Sequence, residues 1–154
     1  MRRRERKYVL DSNLFIHAFR DRHAESELLS FHAFFAPFEF LSAVVAQELR
    51  AGSRSRQDRR NLERNVLDPF IRRGRLIVPS SQAWHKSGDV LAEMSHKEGL
   101  DLSKITKAFG NDVLLALSCR ESGMVLVTRN EKDFRRIARY AAFDFTEPWP
   151  TPIR

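Results

Sequence analysis

A fully apolar run, Met124-Val125-Leu126-Val127, lies between Gly123 and the polar residues Thr128-Arg129-Asn130. Apolar residues without polar alternation are typical of a strand that is buried on both faces, as the central strands of parallel sheets are. Gly123 is placed to end a preceding helix, and Asn130 is placed to open a following one. This stretch therefore predicts a helix, a buried central strand and a second helix in succession.

Short apolar runs and longer helical patterns alternate along the rest of the chain. Further strands are predicted at residues 8–10, 38–41, 76–78 and 143–145. Helices are predicted at about residues 25–35, 43–51, 57–72, 82–97, 111–121 and 130–140. Strands separated by helices predict an α/β fold with a mainly parallel central sheet and right-handed crossovers.

The size and composition of the chain favour one globular domain. It has 154 residues, of which 42% are hydrophobic, enough for a substantial core. We predict a single domain over residues 1–154, with a basic tail at 1–7 and a Pro-rich tail at 146–154. The single cysteine, Cys119, follows an apolar run and is expected to be a buried core residue.

Nothing in the sequence predicts a membrane protein. No apolar run approaches the roughly 18 residues of a membrane span. Asp11 interrupts the apolar segment that follows the basic start, so no signal peptide is expected. We therefore expect a soluble, cytoplasmic protein without membrane association.

Basic residues are in excess, with 27 Lys and Arg against 20 Asp and Glu, which gives a net charge of +7. Such a charge favours a polyanionic partner through counterion release, although many ordinary soluble proteins share it. Five arginines could hold an RNA backbone: Arg50, Arg54, Arg56, Arg59 and Arg60. The alternative is that they only form a solvated helix face.

Four acidic residues are placed where an α/β sheet collects its ligands, beyond the carboxyl ends of its strands. Asp11 directly follows the first strand, and Asp133 lies just beyond the central one. Asp112 is predicted in the first turn of the helix before that strand, and Glu48 in a mostly apolar helix. Taken singly, each has an ordinary explanation: helix capping for Asp11 and for the pair of Asn130 with Asp133, the helix dipole for Asp112, and solvent exposure for Glu48.

Together, the four carboxylates predict a metal site. Converging carboxylates repel one another and raise one another's pKa, and a divalent cation removes that repulsion. All-oxygen ligands suit Mg²⁺, for which Mn²⁺ can substitute. We expect Asp11 and Asp112 to be the main ligands, with Glu48 and Asp133 binding directly or through water. Three neighbouring residues are expected to orient the ligands or a substrate phosphate: Ser12, Thr128 and Asn130. The alternative is that they only cap helices or form turns.

Each of the four acids lies in a distinct segment of the chain. In order, the segments are Leu10-Asp11-Ser12-Asn13-Leu14-Phe15-Ile16, Ser42-Ala43-Val44-Val45-Ala46-Gln47-Glu48-Leu49, Asn111-Asp112-Val113-Leu114-Leu115-Ala116 and Leu126-Val127-Thr128-Arg129-Asn130-Glu131-Lys132-Asp133-Phe134. They resemble the motifs of PIN-domain nucleases, and the VapC toxins of type II toxin–antitoxin pairs are the most similar subgroup. The resemblance extends from about residue 8 to residue 145.

The resemblance implies a three-layer α/β/α fold, an active site at the four acids, and usually a homodimer. It further implies a Mg²⁺-dependent endoribonuclease that hydrolyses RNA phosphodiester bonds and pairs with a cognate antitoxin. The early helices would form the antitoxin groove, and the Phe-rich segment at 31–40 is a candidate for it. Some PIN domains carry an Asp at the position of Asn130, so a second metal ion stays open.

Three other functions are considered. A housekeeping PIN nuclease that processes ribosomal or other RNA would carry the same residues. A non-catalytic basic RNA-binding module would use its acids only to cap helices. A haloacid-dehalogenase-like phosphatase also begins with an Asp after its first strand, but it needs a second Asp two residues later, where this chain has Asn13.

Overall fold

A parallel sheet forms the centre of the computed structural model, which describes residues 5–151. Its five strands, within that range, are β1 (Tyr8–Leu10), β2 (Glu39–Ser42), β3 (Leu76–Ile77), β4 (Val125–Val127) and β5 (Phe145–Thr146). They are arranged in the order β3-β2-β1-β4-β5, and every pair is parallel. The apolar run at 124–127 is therefore an inner strand, as predicted, and Val125, Leu126 and Val127 are buried.

Helices flank the sheet in a three-layer α/β/α arrangement. They are α1 (Ser12–Arg20), α2 (Arg22–Phe35), α3 (Ala43–Ala51), α4 (Arg56–Leu62), α5 (Asp68–Arg72), α6 (Ser81–Glu98), α7 (Lys107–Ser122) and α8 (Glu131–Ala138). Shorter turns are the 3₁₀ segments Ala36–Phe38 and Leu102–Lys104 and the π-helical segment Glu63–Leu67. Helix α1 packs on α2, and α7 packs on both α6 and α8.

Two predicted helices differ from the structure. Helix α7 begins at Lys107, one turn before the predicted start, because the hydroxyl of Thr106 caps it by accepting from the amide of Phe109 at 3.1 Å. Asp112 consequently lies in the second turn, too far along for the predicted interaction with the helix dipole. The helix predicted at 57–72 is divided by the π-helical segment, which ends just before Pro69, a residue without an N–H for the helical ladder.

The C-terminal segment is more ordered than a tail. Thr146 belongs to β5, and the indole ring of Trp149 lies 5.2 Å from the ring of Phe31, centroid to centroid. The indole N–H of Trp149 also donates to Glu27 at 2.7 Å. Residues 1–4 and 152–154 of the predicted tails lie outside the described residues.

The core contains Cys119, which is fully buried, as predicted. Burial raises the pKa of its thiol far above the ordinary value. Between residues 5 and 151, no helix has the length and apolar character needed to span a bilayer.

Candidate functional site

The first predicted site residue lies where two inner strands end side by side. β1 and β4 pair as far as Leu10 and Val127, and the amide of Asp11 donates to the carbonyl of Val127 at 3.0 Å. The hydroxyl of Thr128 then donates to Oδ2 of Asp11 at 2.7 Å. The end of β4 therefore holds both the backbone and the carboxylate of Asp11.

Asp11 is almost completely buried and caps α1. Its Oδ1 accepts from the amide of Ser12 at 2.8 Å, and its Oδ2 accepts from the side-chain amide of Asn13 at 3.3 Å. Burial raises the pKa of Asp11, while hydrogen bonds from Thr128 and Ser12 oppose that rise. The capping role considered for Asp11 is therefore real, and it also fixes the carboxylate at the sheet edge.

Asn130 connects two further carboxylates. Its side-chain amide donates to Oδ2 of Asp133 at 3.0 Å and lies 3.4 Å from Oδ2 of Asp112, a long contact. Its backbone amide donates to the hydroxyl of Thr128 at 3.0 Å. Asn130 is the N-cap residue of α8, but its side chain is directed at the two carboxylates instead of the helix. The capping-pair interpretation of Asn130 and Asp133 is therefore wrong.

The four acids act on one another electrostatically. The pKa of Asp112 is raised from its ordinary value of 3.8 to about 8, by burial first and then by the charges of Asp11, Glu48 and Asp133. The pKa of Glu48 is raised by burial and then by the charge of Asp11. Asp11, Glu48, Asp112 and Asp133 thus form one acidic cluster, and Glu48 is not the solvated surface residue of the ordinary explanation.

The cluster suits a hard cation that keeps part of its hydration shell. Within residues 5–151, no three His, Cys, Asp or Glu side chains converge closely enough to enclose a metal ion as they stand. One carboxylate oxygen of Glu48, Oε1, is nevertheless buried without a hydrogen-bond partner among the described residues. A bare buried oxygen and mutual repulsion are what a divalent cation relieves. Mg²⁺ retains several waters, so it does not require all four carboxylates to contact it directly.

Comparisons with known proteins identify the family of this chain. The family model of the PIN domain matches residues 8–140, which is most of the chain. The chain belongs to the PIN-domain family. It is 30% identical over 134 residues to ribonuclease VapC2 of Haemophilus influenzae, covering 85% of this chain and 92% of that protein. It is 31% identical over 136 residues to ribonuclease VapC2 of Rickettsia felis, covering 84% of this chain and 91% of that protein.

Solved structures share this PIN fold. A DNA-bound VapBC complex from Salmonella typhimurium contains a chain with a TM-score of 0.69 and 23% identity, covering 93% of this chain and 98% of that one. The VapBC2 complex of Rickettsia felis, bound to a promoter DNA fragment, contains a chain with a TM-score of 0.63 and 26% identity. The match covers 93% of this chain and 98% of that one. The three-layer fold implied by the sequence resemblance is confirmed.

Two residues near Glu48 in this PIN domain, Asn111 and Lys107, were not predicted from the sequence, whereas Ser12 was. Hydrogen bonding to Ser12 and Asn111, and the charge of Lys107, all oppose the effect of burial on the pKa of Glu48. The side-chain amide of Asn111 also donates to Oε1 of Gln47 at 3.2 Å. Asn111 adjoins Asp112 in the third motif, which is the signal that could have identified it. Lys107 had none, because the helix was predicted to begin after it.

The predicted RNA-binding arginines divide into two groups. Arg50 is engaged by Glu63, whose two carboxylate oxygens lie 2.5 Å and 3.1 Å from its guanidinium nitrogens. The others, all exposed on or just before α4, are Arg54, Arg56, Arg59 and Arg60. Only this second group is free of that ion pair and able to meet a backbone phosphate.

A groove of about 1090 Å³ leads away from Glu48, between the first three helices and the segment from Arg54 to Arg75. Phe15, Phe19 and Phe70 contribute its aromatic lining. The five phenylalanines of the segment at 31–40 do not belong to this groove. In that segment, Phe31 and Phe35 stack on each other at 4.7 Å, centroid to centroid. The early helices therefore do line a groove, but its aromatic residues come from α1 and α5 and not from the Phe-rich segment.

Proposed function

We propose that this PIN domain is a Mg²⁺-dependent endoribonuclease that acts as the toxin of a toxin–antitoxin pair. The observation that carries the proposal is the acidic cluster at the sheet edge, in which neighbouring carboxylates help raise the pKa of Asp112 to about 8. Its relatives in Haemophilus influenzae and Rickettsia felis are named ribonucleases. A metal-free binding module would have no reason to bury carboxylates against one another.

The acids and their partners have separate roles in this proposal. Asp11 and Asp112 would be the main ligands of the cation, and Glu48 and Asp133 would complete the set directly or through water. A divalent cation, when bound, stabilises charge on the scissile phosphate and activates a water molecule for in-line attack. Thr128 fixes the Asp11 carboxylate by the hydrogen bond of 2.7 Å. Such preorganisation matters, because misplaced ligands lose most of their catalytic effect.

Asn130 has a second positioning role. Its side-chain amide lies between Asp112 and Asp133 and donates a hydrogen bond of 3.0 Å to Asp133. It therefore holds both carboxylates without adding charge. An Asp at this position would add a fifth negative charge to the cluster. We therefore propose that the site holds one Mg²⁺, with Mn²⁺ able to replace it.

The RNA backbone would be held beside the cluster by exposed cations. Arg54, Arg56 and Arg59 are exposed near the start of α4, and Lys107 is close enough to Glu48 for its charge to act on that carboxyl. Phosphate contacts of this kind give affinity that falls steeply with salt. Replacing Arg56 and Arg59 by Gln should raise KM for RNA and weaken the salt dependence, with kcat less affected.

Cleavage of RNA by the purified protein tests the proposal. Wild type should cut RNA with Mg²⁺ or Mn²⁺ and lose that activity in EDTA. Asp112→Asn should abolish cleavage and keep a native circular dichroism spectrum. Asp89→Asn is the matched control, because Asp89 is exposed on α6. Undiminished cleavage by the Asp112 variant would defeat the catalytic assignment.

The toxin role needs a separate readout. The solved structures from Salmonella typhimurium and Rickettsia felis are VapBC complexes. We propose the groove next to Glu48 as the surface of this chain that an antitoxin occupies. Expression of the chain alone should arrest growth, and co-expression with its antitoxin should restore it. Harmless expression of an enzyme that is active in vitro would favour a housekeeping nuclease instead. A homodimer, proposed from the family resemblance, is checked by light scattering.

A further inference from the structure

One side chain beside the acidic cluster has a hydrogen-bonding capacity that the folded chain does not use. Asn13 lies in the first turn of α1, and its side-chain nitrogen Nδ2 donates to Oδ2 of Asp11 at 3.3 Å. Its carbonyl oxygen, Oδ1, is buried and accepts no hydrogen bond from any residue between 5 and 151. A buried amide oxygen without a donor costs about 1–3 kcal/mol. Leucine has nearly the same shape and would avoid that cost, so the folded chain alone does not explain an amide at this position.

The contact with Asp11 fixes which end of the Asn13 amide is which. Reversing the group would place Oδ1 of Asn13 against a carboxylate oxygen of Asp11, and two acceptors without a proton between them repel each other. Because Nδ2 and Oδ1 are joined through one carbon atom, Oδ1 lies within about 6 Å of Oδ2 of Asp11. The unpaired oxygen therefore adjoins a carboxylate that we propose as a main ligand of the cation.

A cation in the acidic cluster would carry water molecules that need acceptors. Within residues 5–151, no three acidic, His or Cys side chains converge on one point, so water must fill much of the octahedral shell of Mg²⁺. Thr128 and Asn13 both donate to Oδ2 of Asp11, which leaves Oδ1 of Asp11 for the cation. Metal-bound water donates to acceptors roughly 4–5 Å from the ion. That is the distance scale that separates Oδ1 of Asn13 from Asp11.

We propose that Asn13 is a positioning residue whose Oδ1 accepts a hydrogen bond from a water molecule of the bound cation, an inference that rests on the proposed metal site. Nδ2 orients Asp11 and Oδ1 orients the water, so one amide fixes two neighbours of the cation. The order of this water matters, because the attacking water comes from the same shell. Removing such a partner of a metal site typically changes metal affinity by about 10- to 100-fold.

The other buried oxygens without a donor have different surroundings. Within the described part of the chain they are Oε1 of Glu39, Oε1 of Glu48 and Oγ of Ser118. Glu48 is itself one of the four acids, and Ser118 lies among the core residues of α7. Glu39 lies buried beneath His32, and its Oε2 is 2.5 Å from Nδ1 of that ring, so this carboxylate already has a basic partner. Asn13 differs from them because it is neutral and is hydrogen-bonded to a member of the acidic cluster.

Hexamminecobalt(III) tests the proposed role. Its six ammonia ligands are N–H donors that do not exchange, so it imitates a fully hydrated Mg²⁺ ion and binds only through hydrogen bonds and charge. In calorimetry of the metal-free wild-type protein, hexamminecobalt(III) should compete with Mn²⁺ for one site. Asn13→Leu should weaken the binding of both cations by about tenfold. Asn61→Leu is the matched control, because Asn61 is exposed on α4, and it should change binding by less than about twofold.

Two further measurements separate this role from a structural one. The stability of metal-free Asn13→Leu in urea should be unchanged or higher, because the loss of the long bond to Asp11 is offset by removal of the unpaired oxygen. In NMR, the side-chain carbonyl carbon of Asn13 should shift saturably with hexamminecobalt(III). The shift at saturation should persist in Thr128→Val, which removes the other donor to the same oxygen of Asp11.

Three results would overturn the assignment: equal binding by wild type and Asn13→Leu, an equal loss in Asn61→Leu, or a wild type that binds Mn²⁺ but not hexamminecobalt(III). If Asn13→Leu does not fold, Asn13→Ala removes the same oxygen without adding bulk and must weaken the binding of both cations as well. A wild type that binds neither cation would overturn this inference together with the proposed metal site.

Failure of the proposed function has a different signature. A wild type whose cation binding depends on Asn13 but that never cuts RNA would refute the nuclease and leave the positioning role standing. RNA cleavage by wild type, together with unchanged cation binding in Asn13→Leu, would refute only the positioning role.

Discussion

Replacing Asp112 by Asn should make the metal-free protein more stable at neutral and alkaline pH. The pKa of Asp112 is raised from 3.8 to about 8, by burial first and then by the other three carboxylates. The folded state therefore holds this proton more tightly than the unfolded state does. The contribution of Asp112 to stability is accordingly most favourable below about pH 4 and is lost as the pH rises to about 8. Asn at this position cannot ionise, so the stability of the variant does not fall in this way as the pH rises.

The size of the effect follows from the same pKa. The difference between 3.8 and about 8 corresponds to roughly 6 kcal/mol at about 1.4 kcal/mol for each pKa unit. That figure is an upper bound, because the carboxyl retains some contact with solvent and the four acids titrate together. We expect a gain of about 2 kcal/mol at pH 8, which for a chain of this length raises Tm by roughly 4–8 °C.

Thermal unfolding in EDTA between pH 5 and pH 9 measures the difference. The gap in Tm between Asp112→Asn and wild type should widen as the pH rises, and Asp89→Asn should run parallel to wild type because Asp89 is exposed. Added Mg²⁺ should narrow the gap, since a ligand that binds only the folded wild type stabilises it. Parallel curves for wild type and the Asp112 variant, or an equal gain in the Asp89 control, would refute the reasoning.

Three further substitutions test the surroundings of the site. Thr128→Val removes the donor to Asp11 and the acceptor of the Asn130 amide. It should lower the free energy of unfolding in urea by about 1–3 kcal/mol. Thr128→Ser is the control, and an equal loss of stability in that variant would contradict the hydrogen-bond account. Asn130→Asp replaces an amide donor shared by two carboxylates with another negative charge, so it should destabilise the metal-free protein by about 1–2 kcal/mol and tighten Mn²⁺ binding in calorimetry. Weaker Mn²⁺ binding would show that the added charge does not offset the loss of the amide donor that holds Asp133. Arg50→Ala breaks a largely exposed ion pair with Glu63 and should lower the free energy of unfolding by less than about 1 kcal/mol. KM for RNA should stay unchanged, and a tenfold rise in KM would show that Arg50 contacts RNA.

Local chemistry explains why much of the fold was predictable. The apolar run before Thr128 became an inner strand, and the run before Asp11 became its neighbour. Ser42 caps the predicted helix α3 by accepting from the amide of Val44, only two residues away. These signals lie within a few residues of one another, and parallel strands bring their carboxyl ends to one sheet edge. The position of the acidic cluster followed from that rule.

Other features were predicted less well. The start of α7 was placed too late, because its first turn, with Lys107, Phe109 and Gly110, lacks the apolar period of the later turns. The role of Asn130 was open, since a residue that precedes a helix either caps it or turns elsewhere. The Phe-rich segment was assigned to the groove, but Phe31 and Phe35 pack against Tyr8 and each other.

The sequence by itself determined the strands, most of the helices, the order of the four acids and the family to which the chain belongs. Only the tertiary structure decided that Asn130 joins two carboxylates, that Arg50 is engaged by Glu63, and that Glu39 lies buried beneath His32. The physical reason is the range of the interactions. Helix and strand formation depends on neighbours along the chain, whereas the energy of a charge depends on burial and on distances through space, which leave no period in the sequence.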